Sequence, residues 1–376
     1  MIIQYAIRGC FFGIMSTVLL GQTKAMAELQ VTPVDHYAEV LDQNRRGDLL
    51  VQREVADTPF STSLATFIHP AGQKDAARLP CPPNFTSVSF FHISDTAKVI
   101  GFATRPLGNP KGNQRAFLWD WTEQQFTELP VPKTFRGSCA FDLSANGETV
   151  CGFILGANPA RITPCVWQHS EKGWNCQLLP CPSAYNPFLT TGRLAISSDG
   201  QVIAGSVTVS EEPVRKSQLV LWKQDSSGQW KEEVIAHYAV RLGDVNNQGV
   251  VVGSITGRGG KRIGLVVAPN AEPFLVEPLQ GDASLEFLGI NNRGEVVGNS
   301  DDPPGPEGGT VAIQWNLREQ QLQAIDFGRP TLFSTATTIK DRGAVGGWVS
   351  WLEENEFKSG SYLLTAPPQD NLPQAP

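Results

Sequence analysis

Few residues of this 376-residue sequence have the types and spacing that catalysis requires. No nucleophile elbow (G-x-S-x-G), HExxH pair or Walker-type loop occurs. Four polar residues, His92, Asp142, Asp244 and Lys340, lie in or just after strand-like segments. Gathered in one pocket, they could perform general acid–base chemistry. If they are dispersed and solvated instead, an enzymatic function is excluded. The five histidines occupy different positions in successive segments: His36, His69, His92, His169 and His237.

His92 precedes an isoleucine on a predicted strand and could face a central channel as a metal ligand or general base. A lone histidine is more often packed or solvated. The Trp-docking motif of quinone-binding propellers, A-x-D-x-x-T-G, does not occur. We therefore name no catalytic residue and expect neither a metal ion nor a cofactor.

Three short motifs are best explained as turns. The segment DVNNQG (Asp244 to Gly249) resembles the start of a calcium loop, but Ile255 stands where a bidentate carboxylate is needed. The segment SSDG (Ser197 to Gly200) resembles an Asp-box turn but lacks the Thr-Trp that follows one. Arg46-Gly47-Asp48 spells an adhesion tripeptide. Glycine, asparagine and aspartate are ordinary turn residues, so we expect three hairpin turns.

The elements that would position the polar residues repeat along the chain. The segment GINNRGEVVG (Gly289 to Gly298) joins an apolar start to a turn glycine, Gly294, and a valine pair, which is typical of a β-hairpin. Near copies of it recur along the whole chain. Their turn residues are separated by 50, 50, 53, 49, 45 and 49 residues, so the sequence contains seven units. Their turn residues are Gly47, Ala97, Gly147, Gly200, Gly249, Gly294 and Gly343.

Each unit predicts four strands, a to d. Strand a precedes the turn residue, and strand b follows it. After a longer loop comes strand c, which carries an aromatic residue in most units, and the short strand d ends at Leu-Pro in the first three units, at Leu79, Leu129 and Leu179. Proline suits an outermost strand, which can lack a ladder donor. Four tryptophans on strand c are expected to pack between neighbouring sheets: Trp119, Trp167, Trp222 and Trp315.

A period of this length with only strand-type segments is typical of a β-propeller, in which each repeat is one blade. We predict an all-β fold, a seven-bladed β-propeller with four-stranded blades that spans residues 28–367. The blades are expected at approximately 37–83, 84–133, 134–182, 183–236, 237–280, 281–328 and 329–367.

The seventh unit has no fourth strand of its own. At the other end of the chain, Glu28 to Val34 (ELQVTPV) resembles the d strand Thr127 to Pro132 (TELPVP). We predict that residues 28–36 form the outer strand of the last blade and close the ring, which removes free sheet edges. The alternative is a disordered N-terminus. Residues 368–376 are expected to be a disordered tail.

Residues 1–27 have the pattern of a secretory signal peptide. Arg8 lies in a short n-region, Cys10 to Gly21 forms an apolar core, and Ala25-Met26-Ala27 provides a cleavage site. A membrane anchor is the alternative, but the apolar run is shorter than a span requires. Cleavage changes the formal net charge from −7 to −9, which argues against a nucleic-acid partner. We expect a secreted or periplasmic chain without membrane insertion, and a monomer.

Six cysteines remain after cleavage, and an even number in an exported chain favours disulfides over metal. No C-x-x-C pair occurs, and the 15 possible connectivities stay open. Several of the cysteines are close in sequence, which favours pairing within one structural unit. The candidates are Cys81, Cys139, Cys151, Cys165, Cys176 and Cys181.

The repeat resembles that of a known family. The pattern I-N-x-x-G-x-V-V-G, then A-F-x-W and a closing Leu-Pro strand, is similar to the repeats of the extracellular HAF-repeat family. The best copies are Gly289 to Gly298 and Asp244 to Gly253, with Ala116 to Trp119 for the aromatic part. The resemblance implies an exported β-propeller, and it supplies no catalytic residues.

The b–c loops are long and carry opposite charges in different units. All of them leave the sheets at one end, the b–c end, and long loops are often functional. Units two to five carry the cations and units six and seven the acids, so this face could steer a charged partner. Ordinary solvated loops are the alternative. The charged residues are Arg105, Lys111, Arg115, Arg161, Arg215, Lys216, Arg258, Lys261 and Arg262, and Asp301, Asp302, Glu307, Glu353, Glu354 and Glu356.

We add Trp348 and Trp351 as ligand-contact candidates because they are predicted in or near loops. The function that the sequence favours is a non-enzymatic binding module for a protein or glycan, acting through the b–c loop face. One alternative is an exported hydrolase or lyase that acts on polysaccharide at the channel mouth. The other is a structural cell-surface repeat protein.

Overall fold

Antiparallel β-strands make up most of the structure, a computed structural model that describes residues 28–33, 38–58, 61–73, 75–106, 114–156, 162–182, 192–211, 214–237, 239–302, 309–354 and 356–365. These ranges contain 28 strands, numbered β1 to β28 in chain order, and one 3-10 helix, Arg258–Gly260. Within them no helix is long and apolar enough to cross a membrane. The predicted signal peptide and the predicted tail at 368–376 lie outside the described residues.

The four strands of each predicted unit are present. The a strands are β2 (Ala38–Gln43), β6 (Ser87–Ile93), β10 (Phe135–Leu143), β14 (Leu194–Ile196), β18 (Val240–Val245), β22 (Ser284–Ile290) and β26 (Phe333–Ile339). The b strands are β3 (Leu49–Thr58), β7 (Lys98–Thr104), β11 (Thr149–Gly156), β15 (Val202–Glu211), β19 (Val251–Thr256), β23 (Glu295–Asp301) and β27 (Val345–Glu353).

The remaining strands follow the same order. The c strands are β4 (Ser61–His69), β8 (Gln114–Asp120), β12 (Ile162–Ser170), β16 (Val214–Gln224), β20 (Arg262–Val267), β24 (Thr310–Asn316) and β28 (Glu356–Thr365). The d strands are β5 (Ala77–Arg78), β9 (Gln125–Glu128), β13 (Gly173–Leu178), β17 (Trp230–Ala236), β21 (Phe274–Val276), β25 (Gln323–Ala324) and, from the start of the chain, β1 (Glu28–Pro33).

Hydrogen bonding joins these strands into four-stranded antiparallel sheets. Units one to four each form a separate sheet, and the strands of units five and six share one larger sheet through a single parallel residue pair, Arg262 with Ser284. The last sheet has the order β1-β28-β27-β26, in which Glu28 lies opposite Thr365 and Pro33 opposite Gly360. The N-terminal strand is therefore the outer strand of the last sheet.

The apolar core consists of clusters between neighbouring sheets. Trp119, Trp167, Trp222 and Trp315 are all buried, each in a cluster that its own sheet shares with the preceding one, as predicted. The indole N–H groups of Trp167 and Trp222 donate to the backbone carbonyls of Pro130 and Pro180, the prolines of the Leu-Pro pairs in units two and three. One further cluster, around Val40, includes Leu363 and so joins the first sheet to the last.

The repeated glycines have distinct physical roles. The seven turn residues all have positive φ, between 61° at Ala97 and 86° at Gly47, a backbone region that glycine adopts without steric cost. Gly298, at the end of the valine-valine-glycine motif, lies against the backbone of β22, and a Cβ there would meet the carbonyl of Glu286. Where this glycine occurs, the motif therefore combines a turn residue of positive φ with a glycine that close packing requires.

The a–b turns also contact one another in chain order. The N–H groups of Asp95, Ala145 and Asn247 each donate to an oxygen in the next turn along the chain. The last turn also contacts the first, because the Arg45 guanidinium pairs with Asp341 at 2.9 Å. The other links in this series are Arg45 N to Asp95 Oδ1, Asp199 N to Asn247 Oδ1 and Asn292 N to Asp341 Oδ1.

None of the six cysteines predicted to form disulfides is paired in the structure, which describes all six. Cys139, Cys151, Cys165 and Cys176 lie on the four successive strands of one sheet. Cys151 packs towards the following sheet, whereas Cys165 and Cys176 pack towards the preceding one. The outer thiols bond locally instead, Cys81 to the carbonyl of Phe85 and Cys181 to that of Leu179. Burial raises the pKa of Cys139 to about 12, so this thiol is held in its protonated form.

At Gly47, the free-energy cost of a positive φ can be measured without a steric clash from the added side chain. An added Cβ would meet only ordinary contacts, Ala71 at 3.5 Å and Leu363 at 3.6 Å, but φ is +86°. Gly47→Ala should therefore lower the free energy of unfolding by about 1–2 kcal/mol, the cost of a left-handed residue with a Cβ. Gly47→Asn should cost less, because asparagine tolerates this region. Urea unfolding of both variants measures the difference, and equal costs would contradict the explanation.

Candidate functional site

A polar pocket lies where the a strands of all seven units converge. It is lined by residues at the ends of these strands and by the a–b turns that follow, and its cavity volume is about 100 Å³. The pairing of strand a with strand b shifts by one residue just before Asp42, His92, Asp142 and Asp244. Such a β-bulge redirects the next side chain. The bulges therefore place these four side chains in one pocket.

Three aspartates in this pocket bind the backbone of the neighbouring unit. Asp42 Oδ2 accepts the N–H of Ile93 at 3.0 Å, and Asp142 Oδ2 accepts that of Ile196 at 2.9 Å. Asp244 Oδ2 accepts the N–H of Ile290 at 3.1 Å. The other oxygens of Asp142 and Asp244 each accept the N–H of the residue that follows in their own strand. The carboxylates thus satisfy backbone donors at the ends of the a strands.

His92 connects the polar side chains of the pocket. Its Nδ1 lies 3.3 Å from Asp42 Oδ2 and 3.5 Å from Asp142 Oδ1, and its Nε2 contacts the guanidinium of Arg193. A guanidinium can only donate hydrogen bonds, so Arg193 faces Nε2 as a donor. His92 is therefore oriented between two carboxylates on one side and a guanidinium on the other.

The acids of the pocket differ in their electrostatic environment. Burial raises the pKa of Asp42, but Lys340, whose Nζ lies 2.8 Å from Oδ1, and the hydrogen bond of His92 outweigh it and hold that pKa well below its ordinary value. Burial lowers the pKa of Lys340, yet the charge of Asp42 leaves it raised overall. Burial and the nearby charge of Asp142 raise the pKa of Asp244 to about 7. Asp244 can therefore hold a proton near neutral pH.

The pocket offers limited chemistry despite these groups. Its volume is below the roughly 300–1,000 Å³ of typical small-molecule sites. No group of three or more His, Cys, Asp or Glu side chains in the described ranges is placed to hold a metal ion. Both oxygens of Asp244 accept backbone hydrogen bonds, which orient the carboxyl group and restrict its access to a substrate.

Of the six charged or imidazole side chains described above, four were predicted from the sequence, and Asp42 and Arg193 were not. His92, Asp142, Asp244 and Lys340 are gathered rather than dispersed, so the condition set for excluding an enzyme is not met. Asp42 was missed, although it stands five residues before its turn glycine, as Asp142 and Asp244 do. Arg193 has no comparable signal, because it lies outside that repeated position.

The cations predicted at the b–c end are largely paired with local acids. Arg105 and Arg115 both bind Glu128, at 3.2 and 3.0 Å, and Arg105 also lies over the ring of Phe85. Arg115 is buried on β8, so it is not an exposed contact residue. The remaining pairs are Lys261 with Glu277, and Arg262 with Glu286 and Asp301.

The other predicted contact residues are only partly described. Arg215 and Lys216 lie on β16, opposite Ser210 and Val209 on β15, and Arg258 begins the 3-10 helix. Their side chains are not described, and Lys111, Arg161 and Glu307 lie outside the described residues.

The two tryptophans predicted in or near loops are in fact on strand β27, because the β27–β28 hairpin continues further than the sequence indicates. Trp348 is buried, and Trp351 is half-buried with the Arg329 guanidinium 4.8 Å from its ring centroid. Two exposed apolar residues lie beside them on the same hairpin. Leu352 is 58% exposed and Phe357, directly opposite it, is 49% exposed.

Several solved structures share this fold. The β-propeller domain of the trilobed protease from Pyrococcus furiosus is similar over 94% of this chain and 100% of its own, at 9% identity and a TM-score of 0.55. An oligogalacturonate lyase in complex with manganese is similar over 93% of this chain and 96% of its own, at 10% identity and a TM-score of 0.52. A prolyl endopeptidase is similar over 91% of this chain and 50% of its own, at 9% identity and a TM-score of 0.56.

Neither a protein-family model nor a curated protein matches this sequence. At these identities the structural similarity shows the fold alone. The protein is therefore an all-β protein with four-stranded antiparallel sheets whose structural neighbours are β-propellers.

The raised pKa of Asp244 predicts a pH-dependent stability. The unfolded carboxyl ionises near its ordinary pKa of 3.8 and the folded one near 7, so the folded chain binds more protons between these values. The contribution of Asp244 is therefore complete below pH 4 and is lost as pH rises to 7, by about 4 kcal/mol at most. Urea unfolding of the wild type and Asp244→Asn from pH 4 to 8 should show this slope only in the wild type. Parallel profiles would contradict it.

Proposed function

We propose that the chain forms a closed seven-bladed β-propeller. The sheet shared by units five and six supports seven blades, because only one residue pair joins its two halves. Closure is supported by three contacts between the ends of the chain. These are the pairing of β1 with β28, the ion pair of Arg45 with Asp341, and the packing of Leu363 on the cluster around Val40. A closed ring leaves no exposed sheet edge between first and last blades.

We propose further that this propeller is a non-enzymatic binding module that acts through its b–c end. The observation that carries this function is the exposed pair Leu352 and Phe357 on the last blade. Exposed apolar groups that cluster at one site are typical of interaction surfaces. The pocket lies at the opposite end of the blades, beside the a–b turns, where its aspartates already bind backbone N–H groups.

The wider setting is inferred from the sequence. The signal pattern of residues 1–27 and the similarity to HAF-type repeats support export to the periplasm or the extracellular space. The acidic net charge disfavours a nucleic-acid partner, so the ligand is a protein or a glycan.

An exported polysaccharide hydrolase or lyase is the second candidate. It is favoured by one observation, the raised pKa of the Asp244 carboxyl in the pocket that also holds His92 and Asp142. Perturbed acids that share a pocket are frequent at catalytic sites. Against this function, the pocket is small and the oxygens of Asp244 accept two backbone N–H groups.

Two variants separate these functions. Leu352→Ser/Phe357→Ser alters the b–c end, and Asp244→Asn alters the pocket. Each variant and the wild type are tested on glycan and peptide arrays and for release of reducing ends from a panel of polysaccharides. We expect the wild type and Asp244→Asn to retain the same array ligands, Leu352→Ser/Phe357→Ser to bind them about tenfold more weakly, and none to cleave polysaccharide.

Three results would contradict the proposal. They are polysaccharide cleavage that Asp244→Asn abolishes, array binding that survives in the Leu352→Ser/Phe357→Ser variant, and the absence of any retained array ligand.

A further inference from the structure

Two of the six cysteines contact each other in the sheet of unit three. Cys165 lies opposite Leu178 and Cys176 opposite Trp167, so the two cysteines are diagonal neighbours on β12 and β13 and point to the same face. Both pack in the cluster around Trp167 that this sheet shares with the preceding one. The Cys165 thiol donates a hydrogen bond to the Cys176 sulfur. The two sulfurs are therefore held side by side in the reduced chain.

The other four thiols have different neighbours. Cys139 donates to the side-chain oxygen of Gln114 at 3.4 Å, and Cys151 packs towards the following sheet. Cys81 and Cys181 bond to nearby backbone carbonyls and follow the d strands of units one and three, which unit two separates. Of the six cysteines, all of which the structure describes, the pair on β12 and β13 is the one in which two thiols share a hydrogen bond.

The two thiols of this pair differ in their access to solvent. Cys165 is fully buried, and burial together with its hydrogen bond raises its pKa well above the ordinary value. Cys176 is half-buried on β13, the outermost strand of the sheet. A thiol reacts with an external reagent only when it is accessible and can ionise. An oxidant therefore meets Cys176 first, and Cys165 lies beside it as the second thiol.

The position of β13 at the edge of the sheet allows the two sulfurs to bond. Cβ atoms at diagonal positions are more widely spaced than the roughly 3.8 Å of a disulfide, so β13 must move towards β12. As the outermost strand, β13 pairs with β12 alone, and this movement breaks no pairing with another strand. The bond would then tie the edge of the sheet covalently to its interior.

We propose that Cys165 and Cys176 form a disulfide when the chain meets an oxidising thiol–disulfide couple. In the first step Cys176 loses its proton to solvent, and its thiolate attacks a small disulfide such as glutathione disulfide and releases one glutathione. In the second step the Cys165 sulfur attacks the Cys176 sulfur of the mixed disulfide, and its proton goes to the departing second glutathione. Two protein thiols are oxidised, and one external disulfide is reduced to two thiols.

This inference goes beyond the proposed binding function and does not depend on it. Export of the chain, which is proposed from the sequence, would place it in a compartment where disulfides persist. The test below uses the purified protein and a chemical oxidant. Its result is therefore independent of both the ligand and the location of the chain.

Peptide mapping without reduction identifies the bond. The mature chain is reduced, freed of reductant, treated with glutathione disulfide under native conditions, alkylated after unfolding and digested with trypsin. Cleavage after Arg161, Lys172 and Arg193 separates Cys165, in peptide 162–172, from Cys176, in peptide 173–193. We expect these two peptides to be linked and each chain to lose two thiols.

A matched background variant removes the remaining ambiguity. Peptide 173–193 also contains Cys181, and Cys81 is an exposed thiol that can bind glutathione itself. In Cys81→Ser/Cys181→Ser the same two peptides should be linked, and two thiols should again be lost.

Two further variants on this background test the order of the steps. Cys165→Ser should retain glutathione on Cys176, because the second thiol is missing. Cys176→Ser should keep Cys165 as a free thiol, because the buried sulfur does not meet the reagent. Near-UV circular dichroism shows whether both variants keep the native packing of their aromatic side chains.

Four results would overturn the proposal. They are an unchanged thiol count in the oxidised background variant, a link that joins other cysteines, a link that forms only in urea, and glutathione bound to Cys165 in the folded Cys176→Ser variant.

Discussion

The hydrogen bonds between the pocket aspartates and the backbone of the neighbouring units are the interaction on which the rest of the structure depends. Asp42, Asp142 and Asp244 each accept an N–H group from the next a strand. A hydrogen bond to a charged group contributes about 1.5–3 kcal/mol, and a buried donor left without an acceptor costs a similar amount. The a strands converge at this point, so their N–H groups need acceptors there. The acids that resemble a catalytic cluster are thus explained by the needs of the backbone.

This explanation divides the molecule into two ends with different constraints. At the a–b end, the turns bind one another in order and their glycines and asparagines are required by the geometry of each turn. At the b–c end, hairpin length and side chains differ between units, from Thr256–Arg262 in unit five to the long β27–β28 hairpin. The hairpins at the b–c end therefore differ more between units than the a–b turns do.

Much of the fold could be predicted from the sequence because its signals are local and repeated. The turn glycines, the tryptophans of strand c and the resemblance of Glu28 to Val34 to a d strand each indicated an element that the structure contains. The site was harder to predict. Side-chain pairing between units, such as Arg262 with Glu286, depends on how neighbouring sheets pack, which the repeated sequence pattern does not indicate. Arg193 and the extent of the β27–β28 hairpin, which places Trp348 and Trp351 on a strand, likewise have no local signature.

The most direct test of the structural role of the aspartates is amide hydrogen exchange of Ile93, Ile196 and Ile290 in the wild type and in Asp142→Ala. Of these three amide groups, only that of Ile196 donates to Asp142, whereas those of Ile93 and Ile290 donate to Asp42 and Asp244. If the carboxylates hold the a strands, exchange at Ile196 should accelerate about tenfold relative to exchange at Ile93 and Ile290. An unchanged ratio between the three amides would show that Asp142 does not bind the neighbouring strand, and its carboxylate would then be free for another role.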